Sequence, residues 1–592
     1  MCSLAGWSFH SCDTQQASKM KRRFSVEEAR DMVMQPATSS ELLDSSSESE
    51  TTSEEECDVE FVVESDPSSS DPSAETAEET EDSGSGWTSK NGEIWSPSNN
   101  DTLRYIPAAR GLVPGPTRYA ITIIDDVESS FNLFFTAEII SSIVDMTNLQ
   151  GGRSVANWSD VDATDIRAYI GLLILAGVYK SKGESTRSLW DDHSGRAIFR
   201  ATMTHTKFRL MNTTLRFDDK LMRPSRHRED KLAPIRSLWE KWTHRLPMLF
   251  NPGEDVCVDE QLVPFRGRCK FRQYIPSKPA KYGLKIWVTA DVETSYAWKC
   301  QIYTGKAAGS AAEVGQGKRV VLEMTEGLQG ITVTCDNFFT SYALVQELLK
   351  RKVALVGTIR RNKPELPSKL LQVRQRAALS SLFGFTKNTT AVSYIPKRGR
   401  NVLLLSSKHR DPAVTEEEKR KPVIIADYNH CKGAVDNLDK VVGSYSCRRM
   451  THRWPQVLFH NMIDVSAFNA FVLFTAVDPS WKQAKSFRRR LFLEELGRSL
   501  VSAKIMRRKH PPRTPAAVTI VADIQASAAA PDTGTIASGS APDTGTTAST
   551  KKRGLCWMCT GKKRKSATTC IRCEKFTCRE HQIPCCRFCW MN

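Results

Sequence analysis

Two aspartates end apolar strand-like stretches in this 592-residue chain: Asp259 closes "DVCV" and Asp336 closes "ITVTC". If their strands are neighbours in one sheet, the two carboxylates lie side by side. Like charges held close repel, so the pair implies a cation between them. Oxygen-only ligands suit Mg²⁺. A third acid is then expected from a following helix. The stretch "KGAVDNLDK" supplies Asp436 and Asp439, at i and i+3 on one helical face. Each acid also has an ordinary reading. Asp336 suits the cap of the helix-like "YALVQELLKRK" that follows it, an everyday role for Asp. Asp259 suits a turn, and Asp436 or Asp439 suits a partner for Lys432 or Lys440. What favours the metal reading is the set of acids together.

The elements that must hold these acids follow from periodicity. From residue 118 to 250 the pattern is helical, in "SSFNLFFTAEIISSIVDMTN", "DATDIRAYIGLLILAGVYK", "RAIFRATMTHTKFRLMNTTLRF" and "IRSLWEKWTHRLPMLF". Asp162 and Asp165 stand as a capping pair before the second of these. Near Glu254 the period becomes strand-like. Five strands are predicted, in "DVCVDEQ", "YGLKIWVTADVE", "YAWKCQIYTG", "ITVTCDNFF" and "VALVGTIRR". Helices are predicted before and after the fourth. Three strands in a meander, then alternating helix and strand, is the order of an RNase H-like α/β domain, in which the first and fourth strands are neighbours. Residues 364–423 read as an irregular, charged insertion. Helices return at "CKGAVDNLDKVVG", at "WPQVLFHNMIDVSAFNAFVLFTAV" with Pro455 in its first turn, and at the basic "SFRRRLFLEELGRSLVSAKIMRRKH".

The fold class is therefore multidomain. It comprises an acidic disordered region (1–104), a helical domain in two parts (105–251 and 448–510), the RNase H-like domain in two parts (252–363 and 424–447) around the insertion, a disordered linker (511–553) and a Cys-rich unit (554–592). Met20 is a second candidate start. The net charge is +16, although Glu41 to Asp82 hold 17 acids and no Lys or Arg. The rest of the chain is thus strongly basic, which favours a polyanion such as nucleic acid. In the acidic region Ser47 precedes Glu50 and Ser53 precedes Glu56 by three residues, which suits an acid-directed kinase. The start of the chain lacks a signal-peptide pattern, and the apolar run from Ala168 to Tyr179 is too short to span a bilayer, so no membrane association is expected.

Basic residues also gather beside the acids. Arg266, Arg268, Lys270, Arg272, Lys278, Lys281 and Lys285 lie between Asp259 and Lys285, interleaved with Phe265, Phe271, Tyr274 and Tyr282. Such a segment suits phosphates and an unpaired base. Arg448, Arg449 and Arg453 form a second candidate contact. Eight of the 17 cysteines follow residue 555. Cys556, Cys559, Cys570, Cys573, Cys578, His581, Cys586 and Cys589 make four close pairs, enough for two tetrahedral Zn²⁺ sites. Cys585 competes with Cys586. Alternating pairing gives a cross-brace like RING and PHD fingers. The segment "GKKRKS" (561–566) is a candidate nuclear-import signal.

The stretches "VDEQLVPFRGRCKFRQYIPSKPAKYGLKI", "TCDNFFTS", "YNHCKGAVDNLDK" and "RRMTHRWP" together resemble the piggyBac family of DNA transposases over roughly residues 105–510 and the terminal finger. The resemblance implies that Asp259, Asp336 and Asp436 bind two Mg²⁺ ions, with Asp439 beside them. It implies a dimer or larger assembly that nicks double-stranded DNA at transposon terminal repeats, forms hairpin ends, reopens them and joins them to TTAA targets in the nucleus. It further implies that the helical domain serves dimerisation and DNA binding, and that the finger binds transposon-end DNA. Two alternatives remain: a domesticated DNA- or chromatin-binding descendant without transposition, and a RING-type ubiquitin ligase. The second fits less well because the histidine is the sixth ligand rather than the fourth and the loops are very short.

Overall fold

The computed structural model describes residues 86–99, 113–226, 229–305 and 313–529, with short pieces at Gly554–Leu555, Lys565–Ser566 and Phe576. The acidic stretch to Asp82 and the proposed zinc ligands Cys556, Cys559, Cys570, Cys573, Cys578, His581, Cys586 and Cys589 lie outside the described residues.

A nine-stranded mixed sheet carries the candidate site. Its strands are β1 (Asp255–Pro264), β2 (Gln273–Tyr274), β3 (Tyr282–Asp291), β4 (Ala297–Ile302), β5 (Thr332–Cys335), β6 (Ala354–Thr358), β7 (Ser381–Phe385), β8 (Thr390–Tyr394) and β9 (Val402–Ser406). The order is β7-β8-β9-β6-β5-β1-β3, with β2 and β4 both pairing β3. β1 runs parallel to β5, and β5 parallel to β6. β3 is antiparallel to β1 and to β4. The five expected strands are all present, in the neighbour order that an RNase H-like sheet requires.

Residues 364–423 are not irregular. β7, β8 and β9 form an antiparallel meander, and β9 pairs with β6 to extend the sheet. Each strand spans only five residues between basic turns, which dilutes the alternation in any longer window. Residues 86–99 likewise depart from the expected disorder. Trp87–Thr88 and Ile94–Trp95 pair as a hairpin, Trp95 is fully buried, and its Nε1 donates to the Glu365 carbonyl at 2.9 Å. Ser96 then exchanges backbone hydrogen bonds with Phe385 at the sheet edge. Two tryptophans supply apolar area that the surrounding Ser, Thr and Glu composition conceals.

The helices are α1 (Ala137–Ser154), α2 (Ala163–Val178), α3 (Arg236–Leu249), α4 (Gln316–Met324), α5 (Tyr342–Lys350), α6 (Val423–Cys431), α7 (Ala434–Ser444), α8 (Trp454–Val477), α9 (Arg488–Met506) and α10 (Pro515–Ala529), with shorter turns between. Two expected long helices are interrupted at Thr136 and Thr204, whose hydroxyls accept from Ile139 and Lys207 N–H groups and start new helices. Asp162 and Asp165 form the expected capping box. α10 overturns part of the linker expectation. Ala517 and Val521 share a helical face and are buried in the helical core.

α4 and α5 cover one face of the sheet, burying Val320, Val321, Leu344 and Leu348 against Val256, Val258, Val333 and Leu355. α6 lies with Val356, Val392 and Leu404, and α7 with Cys257 and the large helical core. That core unites chain segments before and after the sheet. α2 and α9 cross where Gly171 meets Gly497; a Cβ on Gly171 would lie 2.9 Å from the Gly497 carbonyl oxygen. α8 is the one helix among the described residues long and apolar enough to cross a membrane, yet its side chains are mostly buried in this core. It also docks on the sheet: the Asn469 amide exchanges two 3.0 Å hydrogen bonds with the backbone of Ala297 on β4.

Candidate active site

Alternation along β1 decides where each side chain goes. Val256 and Val258 enter the core under α4 and α5, whereas Cys257 faces α7 and donates to the Lys432 carbonyl at 3.3 Å. Asp259 continues the Cys257 face. It lies within β1, not at its end, since the strand runs on to Pro264. The relevant end is that of the β1–β5 ladder: Val258 pairs with Cys335, and the next positions are Asp259 and Asp336. The chain thus sets two carboxylates side by side just past the last pair of two adjacent parallel strands.

Asp336 is not the cap of α5. Ser341 is, its hydroxyl accepting from Leu344 N–H at 3.2 Å. The Asp336 carboxylate instead accepts from Phe338 N–H at 2.9 Å and stays partly buried beside β1. Loss of solvent pushes the Asp336 carboxyl above the usual carboxylate range. The same effect, reinforced by the charge of Asp336, raises Asp259 to about 8. A carboxyl so perturbed by burial, and then by a neighbouring carboxylate, marks a position where negative charge is underneutralised.

α7 brings the other two acids to this face, and it treats them differently. Asp436 stands in the first turn, exposed, with Oδ1 3.3 Å from Lys278 Nζ. Asp439 is partly buried and accepts from Gln261 Nε2 at 2.6 Å. Burial raises its pKa to about 6. Asn461 on α8 donates to Gln261 Oε1 at 3.0 Å, which fixes the Gln261 amide so that its NH₂ faces Asp439. Sequence pattern gave no sign of this Asn461–Gln261–Asp439 line, since α8 joins β1 only through tertiary packing. Glu260, on the opposite alternation, pairs with Lys285, whose ammonium lies 4.9 Å above the Phe338 ring.

The donors are all oxygen, and two of them are underneutralised carboxylates side by side, which fits a hard divalent ion. Among the described residues, however, no three His, Cys, Asp or Glu side chains converge closely enough to hold an ion together. Asp259 and Asp336 would provide two ligands. Asp436 is held by Lys278 and Asp439 by Gln261.

The basic residues divide in the same way. Arg266, Arg268, Lys270, Arg272 and Lys281 are exposed. Arg272 also donates to the Arg266 and Gly267 carbonyls and lies 5.2 Å from the Tyr282 ring centre. Of the four aromatics, Phe265 and Phe271 are core residues, while Tyr274 and Tyr282 are exposed with ring centres 4.7 Å apart. Arg449 departs from the expected DNA contact: it is buried and donates to Ser181 and Glu184 carbonyls. Arg453 is partly buried and donates to the Thr213 and Asn212 carbonyls and to Gln456. Arg449 ties two loops together, and Arg453 ties the start of α8 to the helix that ends at Thr214. Arg448 is partly buried beside them.

Comparison with known proteins agrees with this frame. A family model described as "Transposase IS4" matches residues 128–471. Human PiggyBac transposable element-derived protein 3 is 24% identical over 402 residues, covering 64% of this chain and 66% of the relative. Human PiggyBac transposable element-derived protein 2 is 23% identical over 374 residues, covering 58% and 60% respectively. This chain therefore spans no more than about two thirds of either relative. A cryo-EM structure of a piggyBac transposase synaptic complex with hairpin DNA superposes with a TM-score of 0.65 and 35% sequence identity, covering 81% of this chain and 100% of that one.

Proposed function

This chain belongs to the transposase family, in its piggyBac branch, and from that premise we propose that it is a cut-and-paste DNA transposase. The observation that carries the reading is the placement of Asp259 and Asp336 immediately past the last β1–β5 pair, with α7 presenting Asp436 and Asp439 to the same face. Asp259, Asp336 and Asp436 would hold two Mg²⁺ ions. When bound, these ions supply charge neutralisation on the scissile phosphate and a lowered pKa for the attacking hydroxyl.

The protein's own groups do the rest. The exposed Arg266, Arg268, Lys270, Arg272 and Lys281 hold the phosphate backbone, with Arg448 a separate candidate contact. Tyr274 and Tyr282 offer ring faces to an unpaired base at a hairpin tip. Gln261, fixed by Asn461, keeps Asp439 pointed into the cluster. The product series is a nick at the transposon end, a hairpin, its reopening and joining to TTAA. A dimer or larger assembly on terminal inverted repeats, a nuclear location, phosphorylation of the acidic region, and a two-Zn²⁺ finger at residues 554–592 that contacts end DNA complete the proposal. The synaptic, hairpin-bearing state of the structural relative supports the DNA substrate.

A second reading has support in the relatives' names, which describe transposon-derived proteins: a domesticated DNA- or chromatin-binding protein without transposition. Incubating the purified protein with Mg²⁺ and a labelled duplex carrying its own element's ends separates the two. A hairpin product that disappears in Asp336→Asn supports the transposase. Wild-type binding without strand cleavage overturns it in favour of the binding protein.

A further inference from the structure

Lys278 sits against Asp436 and within electrostatic reach of Asp259 and Asp439. Lys278 Nζ lies 3.3 Å from Asp436 Oδ1 and 3.2 Å from the Glu260 carbonyl oxygen. Its side chain is 22% exposed while that of Asp436 is 68% exposed, so the lysine, not the aspartate, is the inner partner. The loop that carries it is braced. Ile275 N–H donates to Lys281 O at 2.7 Å, Lys281 N–H donates to Lys278 O at 3.0 Å, and Lys281 takes a left-handed φ of 51°. Pro276 and Pro279 stiffen it further. Burial works against the charge of Lys278, but Asp259, Asp436, Glu260 and Asp439 outweigh it and keep the ammonium protonated. A surface ion pair of ordinary kind would lack this second, main-chain acceptor and these further acids.

The same ammonium explains why three carboxylates do not converge. Asp436 faces Lys278 instead of joining Asp259 and Asp336. We propose that Lys278 is a positioning residue that withholds the third metal ligand: it keeps Asp436 off the Asp259–Asp336 pair until a DNA phosphate takes the ammonium away. Lys278 is suited to this exchange, because Lys281 in the same loop and Arg272 just before β2 are exposed cations that can draw phosphates towards it. Once Lys278 pairs with a phosphate, the carboxylates lose their internal counter-charge and Asp436 is free to rotate inward. Metal and DNA then bind cooperatively, each raising the affinity for the other by the same factor. The site assembles only on substrate.

This inference rests on the metal-dependent transposase reading, and its test keeps the two apart. Ca²⁺ binding to the full-length protein is measured by calorimetry with and without a duplex carrying the element's ends, for wild type, Lys278→Met, Lys278→Arg and Asp336→Asn. The expected result is wild-type affinity about tenfold tighter with DNA, within the usual range of such couplings. Lys278→Met should bind Ca²⁺ without DNA as tightly as wild type does with it, and Lys278→Arg should keep the coupling. Melting curves confirm that each variant is folded. A DNA-free affinity in Lys278→Met equal to or weaker than wild type overturns the inference, as does loss of coupling in a folded Lys278→Arg. If the wild type on DNA binds no more Ca²⁺ than Asp336→Asn, the metal-dependent reading itself fails.

Discussion

At the scale of single residues, neighbours fix what each polar group does. Gln261 joins Asn461 to Asp439, and its replacement by Leu leaves an amide and a carboxyl without their partners. We expect Gln261→Leu to lose about 1–3 kcal/mol of stability and most strand cleavage, whereas Gln261→Glu disturbs cleavage through added charge. Urea unfolding and a single-turnover cleavage assay check the two effects. Asp464 and His460, both within α8, make a pH prediction away from the acid cluster. Burial raises Asp464 from 3.8 to about 6 although Cys447 N–H and Ser446 Oγ donate to it. Between those values the folded chain keeps a proton that the unfolded chain releases, so Asp464 makes stability fall as pH rises. His460 is lowered from 6.5 to about 3 by burial and by Arg448, Arg453 and Arg449. There the unfolded chain takes the proton first, so stability falls as pH drops. The two contributions oppose each other between roughly pH 4 and 6. Asp464→Asn should therefore show a melting temperature that climbs more steeply from pH 4 to 6.5 than the wild type; parallel curves would refute it. Asp259 and Asp336 were legible only as a set with the acids of "KGAVDNLDK", because each taken alone suits an ordinary turn or cap. Residue type could not separate Asp436 from Asp439, since both occupy one helical face and only tertiary partners distinguish them. Nor could it foresee that Arg449 turns inward, because an arginine reads alike on a surface and beneath one.

At the scale of elements, close approach replaces bulk. Gly171 and Gly497 allow α2 and α9 to touch backbone to side chain. Alanine at Gly171 would improve helix propensity by about 1 kcal/mol, but its Cβ would meet the Gly497 carbonyl oxygen and Leu500 Cβ at 2.9 Å. Overpacking of this kind costs about 1–3 kcal/mol, so Gly171→Ala should destabilise on balance, read as a lowered midpoint in urea. The same substitution at Gly152, with nothing within 4 Å, should not. Long periodic elements such as α8 and the β1, β3 and β5 strands were legible because their apolar spacing repeats over many residues or ends sharply. The β7–β9 meander was not, for its strands are brief and its turns basic, and the hairpin at Trp87 and Trp95 was hidden by polar surroundings.

At the scale of the whole molecule, charge and acids divide the labour. A chain of +16 that gathers 17 of its 67 acids between Glu41 and Asp82 should bind DNA chiefly through counterion release. The logarithm of affinity should fall linearly with the logarithm of salt concentration, and Arg268→Ala should reduce that slope by about one. An unchanged slope would remove Arg268 from the phosphate contacts. A change at Arg449 should act through folding and leave the slope of the folded fraction intact.

The shared helical core also governs how the protein comes into being. Arg507 pairs with Asp162 across 345 residues of chain, and α9 seals the apolar surface of α2. During synthesis α2 leaves the ribosome long before α9 exists. Its oily side must wait, shielded by chaperones or by loose collapse, while the entire sheet is made and threaded between the two halves. An early stop after α8 would strand that surface permanently, so residues 1–480 expressed alone should accumulate as aggregate even though the acids are all present. For this chain the late helices α9 and α10 are the quality check on everything translated before them.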